Sequence, residues 1–95
     1  MNETEFRSDV VRLAEALGWR VQYQYDGRNN RRAKTKGFPD LVMVRGERAL
    51  FVELKTDIGW TTPSQDEWLR ALKGAGLDVR VWRPMDWPEI EDELS

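Results

Sequence analysis

The sequence of 95 residues contains no cysteine and no histidine, and these two absences exclude whole classes of site. Without thiols the chain has no disulfide framework, no cysteine nucleophile and no zinc–thiolate centre. Without imidazole it has no Ser-His-Asp triad and no metal site that needs a histidine ligand. Carboxylate, amine and hydroxyl chemistry remains. A metal held by such groups would be a hard ion, Mg²⁺ or Mn²⁺.

A long hydrophobic run is also missing, although hydrophobic residues make up 40% of the chain. A membrane-spanning helix needs about 20 consecutive apolar residues. The first residues, MNETEFRSDV, have the features of neither a signal peptide nor a myristoylation site. We therefore expect no membrane association and a cytoplasmic location. The length predicts a single domain over residues 1–95.

The net charge of −2 conceals two segments of opposite sign. The last ten residues carry acids and no base. The basic segment places five positive charges within nine residues, at Arg28, Arg31, Arg32, Lys34 and Lys36. A local basic segment can bind a polyanion whatever the total charge is.

The first half of the chain predicts a helix, a strand and a loop. Apolar residues recur with helical spacing at Phe6, Val10, Leu13 and Leu17, and Gly18 provides the stop. Apolar and polar residues then alternate from Trp19 to Tyr25, which indicates a half-buried strand. Residues 26–37 have turn formers and charges without periodicity, so they predict a loop.

The second half predicts a hairpin, a helix, a strand and a short acidic helix. Two β-rich runs at 41–44 and 49–54 flank Gly46, and Thr62 with Pro63 and Gln65 forms a helix-start signal. Alternation at 77–81 predicts the last strand, and the acidic helix follows. A strand–helix–strand crossover is right-handed and parallel, so the order predicts an α/β fold with a mixed sheet flanked by helices.

One group of residues stands out chemically. Asp40 begins one strand of the hairpin, and Glu53 and Lys55 end the other. Because side chains at i and i+2 of a strand share a face, Glu53 and Lys55 point one way and Leu54 the other. Two carboxylates can hold a divalent ion, and an amine beside it can orient a water molecule. The alternative is that Glu53 and Lys55 form only an ion pair.

These residues belong to a wider pattern that resembles the VRR-NUC branch of the PD-(D/E)xK nuclease superfamily. The motifs are GFPD at 37–40, ELK at 53–55, PSQ at 63–65 and WLRALKGAG at 68–76. The resemblance extends over roughly residues 3–83. It implies a restriction-endonuclease-like core of order αβββαβ, to which the sequence adds a short C-terminal helix.

The resemblance also implies roles for individual residues. Asp40 and Glu53 would be the metal-binding carboxylates, Lys55 the catalytic amine and the backbone carbonyl of Leu54 a further ligand. Gln65 matches a glutamine that the family places at the start of this helix, although its side chain could equally serve the helix cap. The family often has an acid in the first helix, which is Glu3 or, as the alternative, Glu5.

The basic segment is the expected contact with DNA phosphates, and Trp60 could stack on a base. The alternative is that the basic segment is a solvated loop. Trp19 and Trp68 are expected in the core. Trp82 lies on the strand face opposite Val79 and Val81, which would place it at a dimer surface.

The resulting functional prediction is a Mg²⁺- or Mn²⁺-dependent DNA endonuclease of the stand-alone phage or bacterial type. Its expected substrates are flaps and branched DNA such as Holliday junctions, in replication, recombination or repair, and a homodimer is expected. Two alternatives remain open: a catalytically silent DNA-binding module on the same fold, and a subunit active only with a helicase or replication partner.

Overall fold

The structure is a computed structural model and describes residues 2–23 and 36–95. The predicted loop therefore lies outside the described residues except for Lys36 and Gly37. The elements are helices α1 (Glu3–Ala16), α2 (Pro63–Gly74) and α3 (Trp87–Leu94), strands β1 (Arg20–Tyr23), β2 (Leu41–Arg45), β3 (Arg48–Leu54) and β4 (Asp78–Trp82), and a 3₁₀ turn at Pro84–Asp86. Within the described part of the chain, no helix could span a membrane.

The four strands form one mixed sheet in the order β1-β2-β3-β4. The pairs β1-β2 and β2-β3 are antiparallel, whereas β3-β4 is parallel and is connected through α2. Arg45 and Arg48 are the last pair of the β2-β3 hairpin, and Gly46 in the turn has a φ of +61° that favours glycine. The predicted mixed α/β architecture is confirmed.

The helices begin and end where the sequence signals predict. The Asn2 side chain accepts a hydrogen bond from the Glu5 amide at 2.8 Å, and its own amide donates to Glu5 Oε1 at 2.9 Å. Gly18, with a φ of +90°, follows the end of α1. The Glu5 carboxylate is thus engaged in capping α1.

The hydrophobic core lies on one face of the sheet, beneath α1 and α3. Twelve apolar side chains of the described residues are buried there: Phe6, Val10, Ala14, Trp19, Leu41, Met43, Leu50, Val52, Leu54, Trp82, Ile90 and Leu94. As predicted, Trp19 is part of this core. Its indole N–H donates to the carbonyl of Leu94 at 2.9 Å, which fastens α3 to the start of β1.

The burial of Trp82 contradicts its predicted place at a dimer surface. It is only 5% exposed and pairs with Leu54 on the core face of the sheet. The alternation was correct, since Trp82 does face away from Val81. The placement of Trp82 at a dimer surface was wrong, because the core lies on the Trp82 side of β4 and Val81, on the other side, is 37% exposed.

The opposite face of the sheet is only partly covered, by α2 and the residues before β2. Phe38 packs edge-on between Phe51 and Trp68, with ring centroids 6.3 and 5.0 Å away. No residue of α2 is fully buried. Trp68 is therefore half-buried rather than a core residue as predicted. Tyr23 pairs with Leu41 and so lies on the core face of the sheet, as the alternation predicts. Its side chain is nevertheless 42% exposed, because β1 is an edge strand.

Candidate active site

The two carboxylates of the predicted site are brought together by the β2-β3 hairpin. Leu41 pairs with Val52, so Asp40 and Glu53 are the next opposed residues beyond that pair. Directly opposed residues of an antiparallel pair share a face of the sheet. Asp40 Oδ2 accepts a hydrogen bond from the Leu54 amide at 2.9 Å, which fixes the Asp40 carboxylate at the end of β3.

Glu53 is the one buried charged side chain among the described residues, at 1% exposure. Its Oε2 atom accepts a hydrogen bond from Gln65 Nε2 at 2.8 Å and lies 3.8 Å from Lys55 Nζ. The other oxygen, Oε1, is buried and receives no hydrogen bond from any residue that the structure describes. Burying an unsatisfied carboxylate oxygen is costly, so this atom is suited to a proton or a cation.

The surroundings of Glu53 favour its protonated form. Burial is the largest cause, and together with the Asp40 carboxylate it raises the pKa of Glu53 from 4.5 to about 8. The ammonium of Lys55 acts in the opposite direction, and Glu3 adds a small further increase. The site therefore contains more negative charge than Lys55 alone neutralises.

The Gln65 side chain both caps α2 and contacts Glu53, so the two alternatives left by the sequence do not exclude each other. Its Oε1 atom accepts a hydrogen bond from the Thr62 amide at 2.8 Å, while its Nε2 atom donates to Glu53. The Thr62 hydroxyl accepts from the Gln65 amide at 3.2 Å and completes the capping box. The two ends of one amide group are thus used separately, and the cap orients the donor toward Glu53.

Gly37 explains why α2 can begin so close to the carboxylates. Its φ of +91° is unfavourable for any residue with a side chain, and a Cβ atom there would lie 2.6 Å from the Ser64 carbonyl carbon. The segment before β2 therefore contacts the backbone of the first turn of α2. This contact holds Gln65 over the end of the sheet.

Lys55 continues β3 by one residue, since its amide donates to the Trp82 carbonyl at 3.0 Å. Its side chain is 12% exposed and lies on the same face as Glu53. The parallel pairing with β4 thus positions the amine beside the carboxylates. Asp40, Glu53, Lys55 and Gln65 form one cluster at this end of the sheet, as the sequence motifs predict.

The sequence profile of the VRR-NUC domain matches residues 2–86, which is most of the chain. The chain belongs to the VRR-NUC family, a family of nucleases. A VRR-NUC domain protein of known structure superimposes on this chain with a TM-score of 0.71 and 21% sequence identity, covering 90% of this chain and 80% of the other. That similarity shows the fold. No curated protein matches the sequence.

The structure connects the other predicted site residues of this VRR-NUC chain less directly to Glu53. Glu3 is exposed but near enough to influence Glu53, whereas Glu5 caps α1. Within residues 2–23 and 36–95, no three carboxylates are close enough to hold one metal ion. Lys36 and Trp60 are exposed. The other predicted DNA contacts lie outside the described residues: Arg28, Arg31, Arg32 and Lys34.

Two residues of the site were not recognised from the sequence of this VRR-NUC chain as functional. Thr62 was expected only to cap α2, yet it also orients Gln65. Gly37 was identified only as a member of the GFPD motif, and the sequence did not show why a glycine is needed there. The signals were present, because a capping-box glutamine has a second polar end and a glycine in a loop permits a close backbone approach.

Proposed function

We propose that this VRR-NUC chain is a Mg²⁺- or Mn²⁺-dependent deoxyribonuclease that hydrolyses phosphodiester bonds as an endonuclease. The observation that carries the proposal is the buried, unpartnered Oε1 atom of Glu53 opposite Asp40 and beside Lys55. A buried carboxylate with a second carboxylate beside it is unfavourable in a purely structural role. It is favourable when a cation binds between the two groups.

The residues fit a hard divalent cation. Asp40, Glu53 and the Leu54 carbonyl offer oxygen ligands, which Mg²⁺ and Mn²⁺ prefer, and Mg²⁺ usually keeps several waters and few protein ligands. Glu3 is a candidate for an outer contact through water. When bound, the ion would polarise a phosphoryl oxygen and increase the acidity of the attacking water.

The other side chains support this chemistry by position. Lys55 is held beside Glu53, where its ammonium can orient the attacking water and stabilise the negative charge that develops on the phosphate. Gln65 keeps the Glu53 carboxylate in one orientation by donating to Oε2. This bond leaves Oε1 available for a ligand.

The proposed substrate is branched DNA, including flaps and four-way junctions, in replication, recombination or repair. Lys36 and the basic residues before it would bind backbone phosphates without reading sequence. A homodimer would present two sites to two strands of a junction. Activity that requires a helicase or replication partner remains compatible with the same site.

A cleavage assay tests the proposal on labelled duplex, flap and four-way-junction DNA, with Mg²⁺, Mn²⁺ or EDTA. We expect metal-dependent cleavage that is abolished by Asp40→Asn. The matched control is Glu91→Gln, which removes one negative charge from the exposed face of α3. Cleavage by Asp40→Asn at the wild-type rate would show that this cluster is not the active site.

A further inference from the structure

The most exposed large apolar side chains of the described residues are grouped in one place. Ile58 is 88% exposed, Trp60 85% and Met85 65%, whereas every other exposed large apolar side chain is at most 42% exposed. We refer to Ile58, Trp60 and Met85 as the apolar ridge. Exposing a large apolar side chain forgoes about 1.5–3 kcal/mol of burial, so such a group indicates a binding surface.

The backbone beneath the apolar ridge is held by hydrogen bonds. The Thr56 carbonyl accepts from the Gly59 amide at 3.3 Å and from the Arg83 guanidinium at 2.5 Å. The Met85 amide donates to Asp57 Oδ1 at 3.0 Å, which places Met85 beside the turn. The turn is therefore fixed while its apolar side chains project outward. A surface that is organised in advance loses less entropy on binding.

The apolar ridge borders the active site. The turn that bears it begins directly after Lys55, and a Cβ atom built on Gly59 would lie 3.7 Å from Lys55 Cδ. Gly59 stands between Ile58 and Trp60, so this turn lies beside the aliphatic part of the Lys55 side chain. A nucleic acid whose phosphate reached Glu53 and Lys55 would therefore pass along the ridge.

A second copy of the chain is a poor match for this surface. A stable dimer buries about 800 Å² per partner, and three side chains cannot provide that area. Continuous duplex is also a poor match, because it presents phosphates and the polar edges of stacked bases. An unstacked base offers an apolar face, and stacking on an aromatic side chain contributes about 1–3 kcal/mol.

We propose that the apolar ridge packs against an unstacked base at a branch point, with Trp60 as the stacking residue. An apolar side chain that inserts at a base step must unstack it at a cost of a few kcal/mol, and this cost is smaller where the stack is already interrupted. The ridge would thereby select branched DNA over continuous duplex. This inference rests on the proposed nuclease function and assigns its structure selectivity to particular residues.

The test compares the wild-type protein with Trp60→Ala, Trp60→Phe and Ile58→Ala. The control is Leu77→Ala, which truncates a residue 39% exposed next to the start of β4, at the opposite end of the sheet from Lys55. Dissociation constants are measured in EDTA for a four-way junction and for a duplex of equal length. A 2-aminopurine at the branch point reports stacking.

We expect Trp60→Ala to weaken junction binding roughly tenfold and duplex binding less than about twofold. Trp60→Phe should recover most of the loss, Ile58→Ala should act in the same direction more weakly, and Leu77→Ala should have no effect. Quenching of 2-aminopurine should be seen with the wild-type protein and not with Trp60→Ala.

If Trp60→Ala loses equal affinity for both DNAs, or loses none for either, the inference is overturned. The nuclease function would still stand in that case if the wild-type protein cleaves DNA. A Trp60→Ala protein that changes from dimer to monomer would identify the ridge as a contact between copies and overturn it. Loss of binding to anionic vesicles with unchanged DNA binding would do the same. Absence of all DNA cleavage by the wild-type protein would count against both proposals.

Discussion

The two faces of the sheet are built in different ways. The face beneath α1 and α3 is closed by fully buried apolar side chains, whereas the face beneath α2 has partly exposed aromatic residues and the buried charge of Glu53. α2 is positioned largely by its capping box, by Gln65 and by the close contact at Gly37. Hydrophobic packing therefore stabilises one face, and polar contacts organise the candidate active site on the other.

The largest expected effect is a difference in stability between adjacent residues of β3. Leu50 is fully buried on the core face, and Phe51 is partly exposed on the α2 face. Leu50→Ala should lower the free energy of unfolding by about 3–4 kcal/mol, and Phe51→Ala by less than about 2 kcal/mol although it removes more atoms. Urea unfolding measures both. A larger loss for Phe51→Ala would mean that the α2 face is the main core.

A second prediction concerns chemistry on the α2 face. Lys55→Ala should lower the single-turnover cleavage rate at saturating DNA by roughly a hundredfold or more, the scale for losing one positioned electrostatic or proton-transfer group. Lys73→Ala, in the last turn of α2, is the matched control and should cut normally. If Lys55→Ala cleaves DNA at the wild-type rate, Glu53 and Lys55 of the ELK motif form only an ion pair.

Metal binding should stabilise the protein through the α2 face alone. At a Mn²⁺ concentration one hundred times the dissociation constant, the free energy of unfolding should rise by about 2.7 kcal/mol. Thermal melts should shift upward for the wild-type protein and for Leu50→Val, and much less for Asp40→Asn. If Asp40→Asn and the wild-type protein shift equally, the ion binds elsewhere.

The pKa of Glu53 predicts a dependence of stability on pH in the absence of metal. The pKa is about 8 in the folded protein and near 4.5 when Glu53 is solvated, so unfolding releases a proton between these values. The contribution of Glu53 to the free energy of unfolding should be largest below about pH 4.5. It should fall by on the order of a few kcal/mol as the pH rises toward 8. Glu53→Gln should lack this component in urea unfolding across the same range. Parallel pH profiles for the two proteins would contradict the buried carboxyl.

The smallest expected effect separates the two functions of Gln65. Gln65→Glu keeps the oxygen that caps Thr62 but replaces the donor to Glu53 with a repelling carboxylate, so cleavage should slow while α2 stays capped. Thr62→Ala removes the hydroxyl acceptor and should cost about 1 kcal/mol of stability with a smaller effect on cleavage. Circular dichroism and cleavage rates measure the two effects. Equal rates for both variants would show that the donor to Glu53 is dispensable.

Much of the architecture was predictable because local signals agree with the fold. The N-cap at Asn2, the capping box at Thr62 and the turn at Gly46 mark element boundaries by local chemistry alone. The face of β4 was not predictable in the same way. Leu77, Val79 and Val81 alternate with Trp82, so both faces have apolar residues, and only pairing with Leu54 decides which is buried.

The candidate site shows a similar division. The motifs identify Asp40, Glu53 and Lys55, since strand alternation and hairpin pairing bring them to one end of the sheet. The double use of the Gln65 amide depends on distances between two elements, which no sequence pattern contains. The apolar ridge was also missed in part: an isoleucine is expected inside, and the exposure of Ile58 follows from the hydrogen bonds that fix its turn.

The bond from the Trp19 indole to the Leu94 carbonyl joins positions 75 residues apart, whereas the bond from Gln65 to Glu53 spans only 12. Because closing a long loop costs more entropy and slows folding, contacts within residues 37–65 should form before the chain ends meet. The active site would then be assembled while the hydrophobic core is still open at α3. Pulsed hydrogen exchange during refolding should protect the amides of β2 and β3 before those of α3, and simultaneous protection would contradict this order.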